Sequence, residues 1–186
     1  MRIAGGEFRG HVLHTPKGLD VRPTQDRVRE ALFSMLQNEI AGTRFLDLFA
    51  GTGGVGLEAL SRGASSATFV EHSPRSLDCI VKNITALKVE TRCLTIRADT
   101  YTWLAGTAME PFDIAYADPP YATGAKQGYA GILERLDKGG FVKPGGLFIS
   151  EMCARQTPDV SPAWELCRDR TYGQTRIAIY RRKQGI

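Results

Sequence analysis

Apolar positions along the chain follow two spacings. Val28, Leu32, Met35, Leu36 and Ile40 recur at helical intervals and predict a helix over about 25–40, with Thr24 as its N-cap. From residue 45 onward, short apolar runs alternate with amphipathic stretches. The runs predict strands at 45–50, 67–71, 93–98, 112–117 and 147–152. Helices are expected at 54–62, 75–87 and 129–136, with a short amphipathic turn at 101–104 and another turn at Lys143-Pro144-Gly145-Gly146. Strands apolar on both faces and alternating with helices argue for a mostly parallel sheet. The ending differs: 164–171 and 175–182 are strand-like and joined by Tyr172-Gly173-Gln174 without a helix. That pattern predicts a hairpin, which adds antiparallel strands at one edge. At the other end, Ile3-Ala4, the Gly5-Gly6 pair and 8–13 predict a second short hairpin, ended by Pro16 and Gly18. The chain thus divides into an N-terminal hairpin-and-helix extension over 1–44 and a main domain over 45–186.

Composition narrows the function classes. The 186 residues are 42% hydrophobic and 24% charged, as for a globular protein with its own core. No apolar run is long enough to span a bilayer, and the start lacks a signal core, so no membrane partner and a cytoplasmic location are expected. Four dispersed cysteines without CxxC, and three histidines without ligand spacing, predict neither a disulfide framework nor a metal site. Net charge is +2 over 1–44, −3 over 45–167 and +5 over 168–186, which together make the chain's +4. Basic ends around a mildly acidic body point to a polyanion, with Arg2, Arg9, Arg22, Arg181, Arg182 and Lys183 as candidate phosphate contacts.

The first chemical motif is Asp47-Leu48-Phe49-Ala50-Gly51-Thr52-Gly53-Gly54-Val55-Gly56. It places GxGxxG directly after a predicted strand and at the opening of a helix, where glycines allow a tight turn and close approach to a ligand. Glu71 follows Gly51 by 20 residues, at the end of the next strand, where a doubly wound sheet sets a carboxylate on a ribose diol. A nucleoside cofactor is expected, held by Asp47, Gly51, Thr52, Gly53 and Glu71. Asp47 favours S-adenosylmethionine over a dinucleotide, because a carboxylate attracts a sulfonium and an ammonium and repels a pyrophosphate. His72 can pack on the adenine.

The second motif is Asp118-Pro119-Pro120-Tyr121, at the end of the fourth predicted strand. The lone pair of an exocyclic base amine is delocalised into the ring. A carboxylate and a proline carbonyl that accept the amine hydrogens favour a pyramidal nitrogen, with its lone pair aimed at a methyl donor. The two prolines fix the carbonyl, and Tyr121 offers a ring on which a flipped base can stack.

These residues resemble the class I methyltransferases, and within them the bacterial 16S rRNA guanine-N2 methyltransferase family. The resemblance runs over nearly the whole chain. It covers Arg2-Ile3-Ala4-Gly5-Gly6 with Arg9-Gly10, Arg22-Pro23-Thr24, 26–33 (DRVREALF), 47–53, 56–63 (GLEALSRG) and Asp118-Pro119-Pro120-Tyr121. His11 stands where the family often carries a second basic residue after Arg-Gly. The resemblance implies a seven-stranded Rossmann-like sheet with a reversed last strand and a chain that acts as a monomer. It implies methylation of a guanine N2 in 16S ribosomal RNA of the small subunit, leaving S-adenosylhomocysteine. It also implies that Asp99 accepts from the cofactor adenine, while Arg22-Pro23-Thr24 serves either the cofactor carboxylate or RNA. Three other readings of the residues stay open: a DNA adenine-N6 methyltransferase, a nicotinamide oxidoreductase, and a non-catalytic RNA-binding assembly factor.

Overall fold

The computed structural model describes residues 1–16, 23–120 and 128–184, with the side chains of 23–25 outside the description. The chain forms two compact units, Met1–Ala98 and Asp99–Ile186. Seven strands make one sheet of order β3-β2-β1-β4-β5-β7-β6.

In the first unit, helix α1 spans Pro23–Met35. It starts two residues before the sequence expectation, because proline suits the first helical position. It also ends earlier, and Leu36 to Ile40 continue as a turn whose apolar side chains stay buried. Strands β1 (Arg44–Leu48), β2 (Ser66–Glu71) and β3 (Cys93–Arg97) pair in parallel. Phe45, Leu46, Phe69 and Val70 are fully buried, as strands covered on both faces require. Helix α2 (Gly54–Ser61) follows β1, and helix α3 (Pro74–Leu87) follows β2. Ser73 caps α3, with Pro74 in its first turn.

Residues 1–16 form the expected hairpin in a minimal form. One antiparallel bridge joins Arg2 and Val12 and no strand ladder forms. Ile3 N donates to the His11 carbonyl at 3.1 Å, Gly10 N to the Ile3 carbonyl at 2.8 Å and Leu13 N to the Met1 carbonyl at 3.0 Å, while other amides of the segment bond α2. Ala4 N and Gly5 N donate to the Glu58 carboxylate at 2.8 and 2.9 Å. Glu7 N and Phe8 N donate to the carbonyl and hydroxyl of Ser61. Gly6, at φ +80, lies so close to α2 that a Cβ there would fall 1.9 Å from the Ser61 carbonyl oxygen.

In the second unit, α4 is a single turn, Thr100–Trp103. Strand β4 (Phe112–Ala117) pairs in parallel with β5 (Val142–Cys153). Helix α5 (Tyr129–Lys138) precedes β5. The predicted turn at 143–146 lies within β5, where the register with β4 shifts between Phe112 and Ile114. Strands β6 (Trp164–Tyr172) and β7 (Thr175–Arg182) form the expected hairpin, and β7 runs antiparallel to β5.

Candidate active site

The glycine loop grows out of β1. Phe49 takes φ 58, a left-handed conformation that a bulky residue adopts only when its surroundings impose it. Gly51 (φ 55) and Gly53 (φ 80) continue the turn into α2. A Cβ at Gly51 would meet nothing within 4 Å, so the loop presents open space there. Gly53 faces the other way. A Cβ there would lie 3.2 Å from Ile80 and 3.3 Å from Phe69, and one at Gly56 would lie 2.3 Å from Phe69. Gly53 and Gly56 therefore let α2 close onto the sheet and α3.

Two carboxylates set the loop. Asp47 is 1% exposed, and its Oδ2 accepts from Gly56 N at 2.8 Å. At that depth it acts on a ligand's charge through its field, while its bond fixes the first turn of α2. Glu71, at the end of β2, accepts from Gly51 N through Oε2 and from Ser73 N through Oε1, both at 2.8 Å. Each carboxylate oxygen keeps a further lone pair that can accept a hydroxyl. His72 is exposed, with Nδ1 3.2 Å from Glu71 Oε1. The backbone carbonyl of Thr52 accepts from Asn83 Nδ2 at 3.1 Å. The Asn83 side chain also exchanges two hydrogen bonds with the His14 backbone, so one buried amide ties residues 1–16 to the glycine loop. An open glycine cradle flanked by carboxylates fits a cationic nucleoside cofactor and opposes a pyrophosphate.

Asp99, in the second unit, is the N-cap of α4 and accepts from Thr102 N and Oγ1 at 2.9 Å through Oδ1. Asp118 follows β4, with Pro119 buried and Pro120 exposed. Asp118 counts among the exposed residues, yet protein still crowds its carboxyl. Loss of hydration first, and the charge of Glu151 second, raise its pKa from 3.8 to about 7. Glu151 on β5 carried no signal in the sequence. Tyr116 Oη donates to Glu151 Oε2 at 2.6 Å, and the Tyr129 hydroxyl donates to the Glu151 backbone carbonyl. Tyr121 and Arg22 lie outside the described residues, as does the side chain of Thr24.

The candidate phosphate contacts separate into two groups. Arg2, Arg9 and Lys183 are exposed, although Arg2 also donates to the Gly10 carbonyl. Arg181 Nη1 donates to the Gly145 carbonyl at 2.8 Å. Arg182 pairs with Asp137 at 2.8 Å and donates to the Val142 carbonyl. Those two guanidinium groups brace the strand ends of their own unit. Among the described residues, no three His, Cys, Asp or Glu side chains could hold a metal ion, and no helix is long and apolar enough to cross a membrane.

Relatives extend over the same span. The family described as Conserved hypothetical protein 95 matches residues 1–181. The ribosomal RNA small subunit methyltransferase D of Escherichia coli K12 is 35% identical over 184 residues, covering 98% of this chain and 90% of its own. The Haemophilus influenzae protein of the same name is 32% identical, covering 97% and 93%. Among solved structures, Escherichia coli yhhF superposes with a TM-score of 0.88 at 35% identity over 98% of both chains. SMU.776, solved in complex with SAH, shares the fold at a TM-score of 0.66 and 16% identity, covering 94% of this chain and 52% of that one. With a family match across residues 1–181 and relatives alike from end to end, the chain belongs to the Conserved hypothetical protein 95 family, that of the ribosomal RNA small subunit methyltransferase D proteins.

Proposed function

We propose that this protein transfers a methyl group from S-adenosylmethionine to the N2 amine of a guanine in 16S ribosomal RNA of the small subunit, acting as a monomer in the cytoplasm. The observation that carries the reading is Asp118, a crowded carboxyl that closes β4 and leads directly into Pro119-Pro120. The names of the relatives and the SAH held by SMU.776 support the reaction class and the cofactor.

When bound, the cofactor supplies an electrophilic methyl on a positive sulfur. Glu71 accepts from the ribose hydroxyls while its bonds to Gly51 and Ser73 hold it still. Gly51 leaves room for the ligand. Asp47 favours the positive charge from behind the loop, and Thr52, Gly53 and His72 complete its frame. Asp99, whose Oδ1 caps α4, is assigned to the adenine amine. Thr24, with Arg22, is assigned to the cofactor carboxylate.

The Asp118 carboxylate and a carbonyl of Pro119-Pro120 accept the two amine hydrogens of the guanine. This turns the nitrogen lone pair towards the methyl and offsets the positive charge that grows on nitrogen. Tyr121 stacks on the extruded base. Arg2, Arg9 and Lys183 hold phosphates. Catalysis comes from positioning and electrostatics, with no covalent enzyme intermediate.

Nucleoside analysis of 16S rRNA from cells lacking the protein tests this function. One N2-methylguanosine should disappear and return with the wild-type gene but not with Asp118→Asn. Unchanged rRNA nucleosides would refute the proposal.

A further inference from the structure

The β4–β5 register places a second carboxylate beside Asp118. Ala117 lies opposite Ser150 in the last pair of this parallel ladder, so Asp118 and Glu151 are the residues that follow on either side, near enough for the charge of Glu151 to act on Asp118. Side chains alternate along a strand, which sets Tyr116 and Asp118 on the same face. Tyr116 lies opposite Ile149, so Glu151, two residues on, shares that face. Neighbouring strands run about 4.8 Å apart, and Glu is one methylene longer than Asp, so the two acids can converge on one small group. The Tyr116 hydroxyl holds Oε2 of Glu151, and Tyr129 from α5 holds its backbone carbonyl. A carboxylate accepts about four hydrogen bonds, and the Tyr116 tether is one of them.

Adjacent acids repel, and the charge of Glu151 adds to the burial that chiefly raises the Asp118 pKa. Gripping one amine needs only one of them. The second acid calls for a second donor beside the amine. Among the bases with an exocyclic amine, guanine alone presents an N–H there, at N1 next to N2. Adenine and cytosine present a ring-nitrogen lone pair at the corresponding position.

We infer that Glu151 is a specificity-determining residue that accepts the N1–H of the target guanine while Asp118 grips its N2 amine. The inference rests on the guanine-N2 reading and adds to it the group that tells guanine from other amino-bases. It also gives Tyr116 a role, as the tether that keeps Glu151 aimed.

The test uses 16S rRNA ligated to carry either guanine or 2-aminopurine at the methylated position, presented both as free RNA and in reconstituted subunits. 2-Aminopurine keeps the C2 amine but turns N1 into an acceptor. The wild type should prefer guanine by about 10–100-fold in kcat/KM, the range for a paired base contact. Glu151→Gln should cut that preference at least tenfold, because an amide can donate to the N1 lone pair and can still accept from Tyr116. Tyr116→Phe, which leaves the carboxylate but frees it, should cut the preference less. Glu151→Gln also removes a negative neighbour, so the acidic limb of the pH–rate profile should move to lower pH whether or not Glu151 touches the base, and the ratio between the two bases alone carries the assignment. A preference unchanged in both variants overturns the assignment. If Glu151→Gln transfers to neither base, the ratio is read in Tyr116→Phe, where an unchanged value overturns it equally. Wild-type transfer to an adenine or cytosine of the rRNA in place of the guanine refutes the guanine reading itself, before any ratio is taken.

Discussion

Gly51 and Gly53 stand two residues apart and should fail for different reasons. Valine at Gly51 projects a side chain into open space in the cradle, at a backbone conformation that resists it. Calorimetry should show cofactor affinity lost, with about 1–3 kcal/mol of stability lost to strain. Valine at Gly53 presses on Ile80 and Phe69 at a positive φ as well, so thermal unfolding should show the larger loss of stability. Equal melting temperatures for the two variants would contradict these roles. Asp118 brings a pH dependence. Its folded pKa, about 7, lies above the ordinary carboxylate value. The native state therefore binds more protons than the unfolded chain between about pH 4 and 7, and this group's contribution to stability falls as pH rises through that window. Methyl transfer needs the carboxylate, so the rate should rise with pH up to about 7, and sooner once a cation is bound nearby. A rate flat from pH 5 to 8 would rule out Asp118 as the amine acceptor. Asp118 was legible because a four-residue motif carries its chemistry. Glu151 was not, because its place depends on a strand register that no local pattern encodes.

Helix α2 draws the rest of the first unit around one buried acid. Glu58 has a side chain 0% exposed, pairs with Arg29 at 3.3 Å and Arg62 at 2.8 Å, and accepts from Ala4 N and Gly5 N. Arg29 also bonds Asp26 and the Arg2 carbonyl. Residues from three of the blocks behind the family resemblance thus meet at one hub that pins residues 1–16. Glu58→Ala leaves Arg29 buried without its acid partner there, a loss of about 3–5 kcal/mol. Chemical denaturation should register it, and amide exchange should show residues 3–8 deprotected. Protection at wild-type level would mean the hub does not hold the segment. This also explains why strands and helices were legible from the sequence and the attachment of the N-terminal hairpin to α2 was not. Apolar periodicity marks an element that buries one of its own faces. The amides of residues 4, 5 and 8 instead find acceptors 53 or 54 residues away, and sequence spacing gives no hint of that.

Across the whole molecule, strand–helix alternation with a helix-free ending was enough to predict the parallel sheet and its antiparallel edge. Charge was less transparent. The basic C-terminal segment read as a nucleic-acid contact, and its Arg181 and Arg182 also hold a carbonyl and Asp137 of their own unit. RNA affinity should accordingly fall on replacing Arg2, Arg9 or Lys183, each removing about one from the salt slope, with little dependence on sequence. Arg182→Ala should lower thermal stability and leave that slope unchanged; a lower slope would return it to the RNA surface.

The central claim is that Asp118 directs methyl transfer to a guanine amine. Single-turnover transfer of labelled methyl from S-adenosylmethionine to unmethylated 16S rRNA, followed by nucleoside digestion, measures this directly. The account predicts label in N2-methylguanosine and a rate about 100–1,000-fold lower in Asp118→Asn, with cofactor affinity preserved. Label in another nucleoside, or an Asp118→Asn rate near that of the wild type, would contradict it.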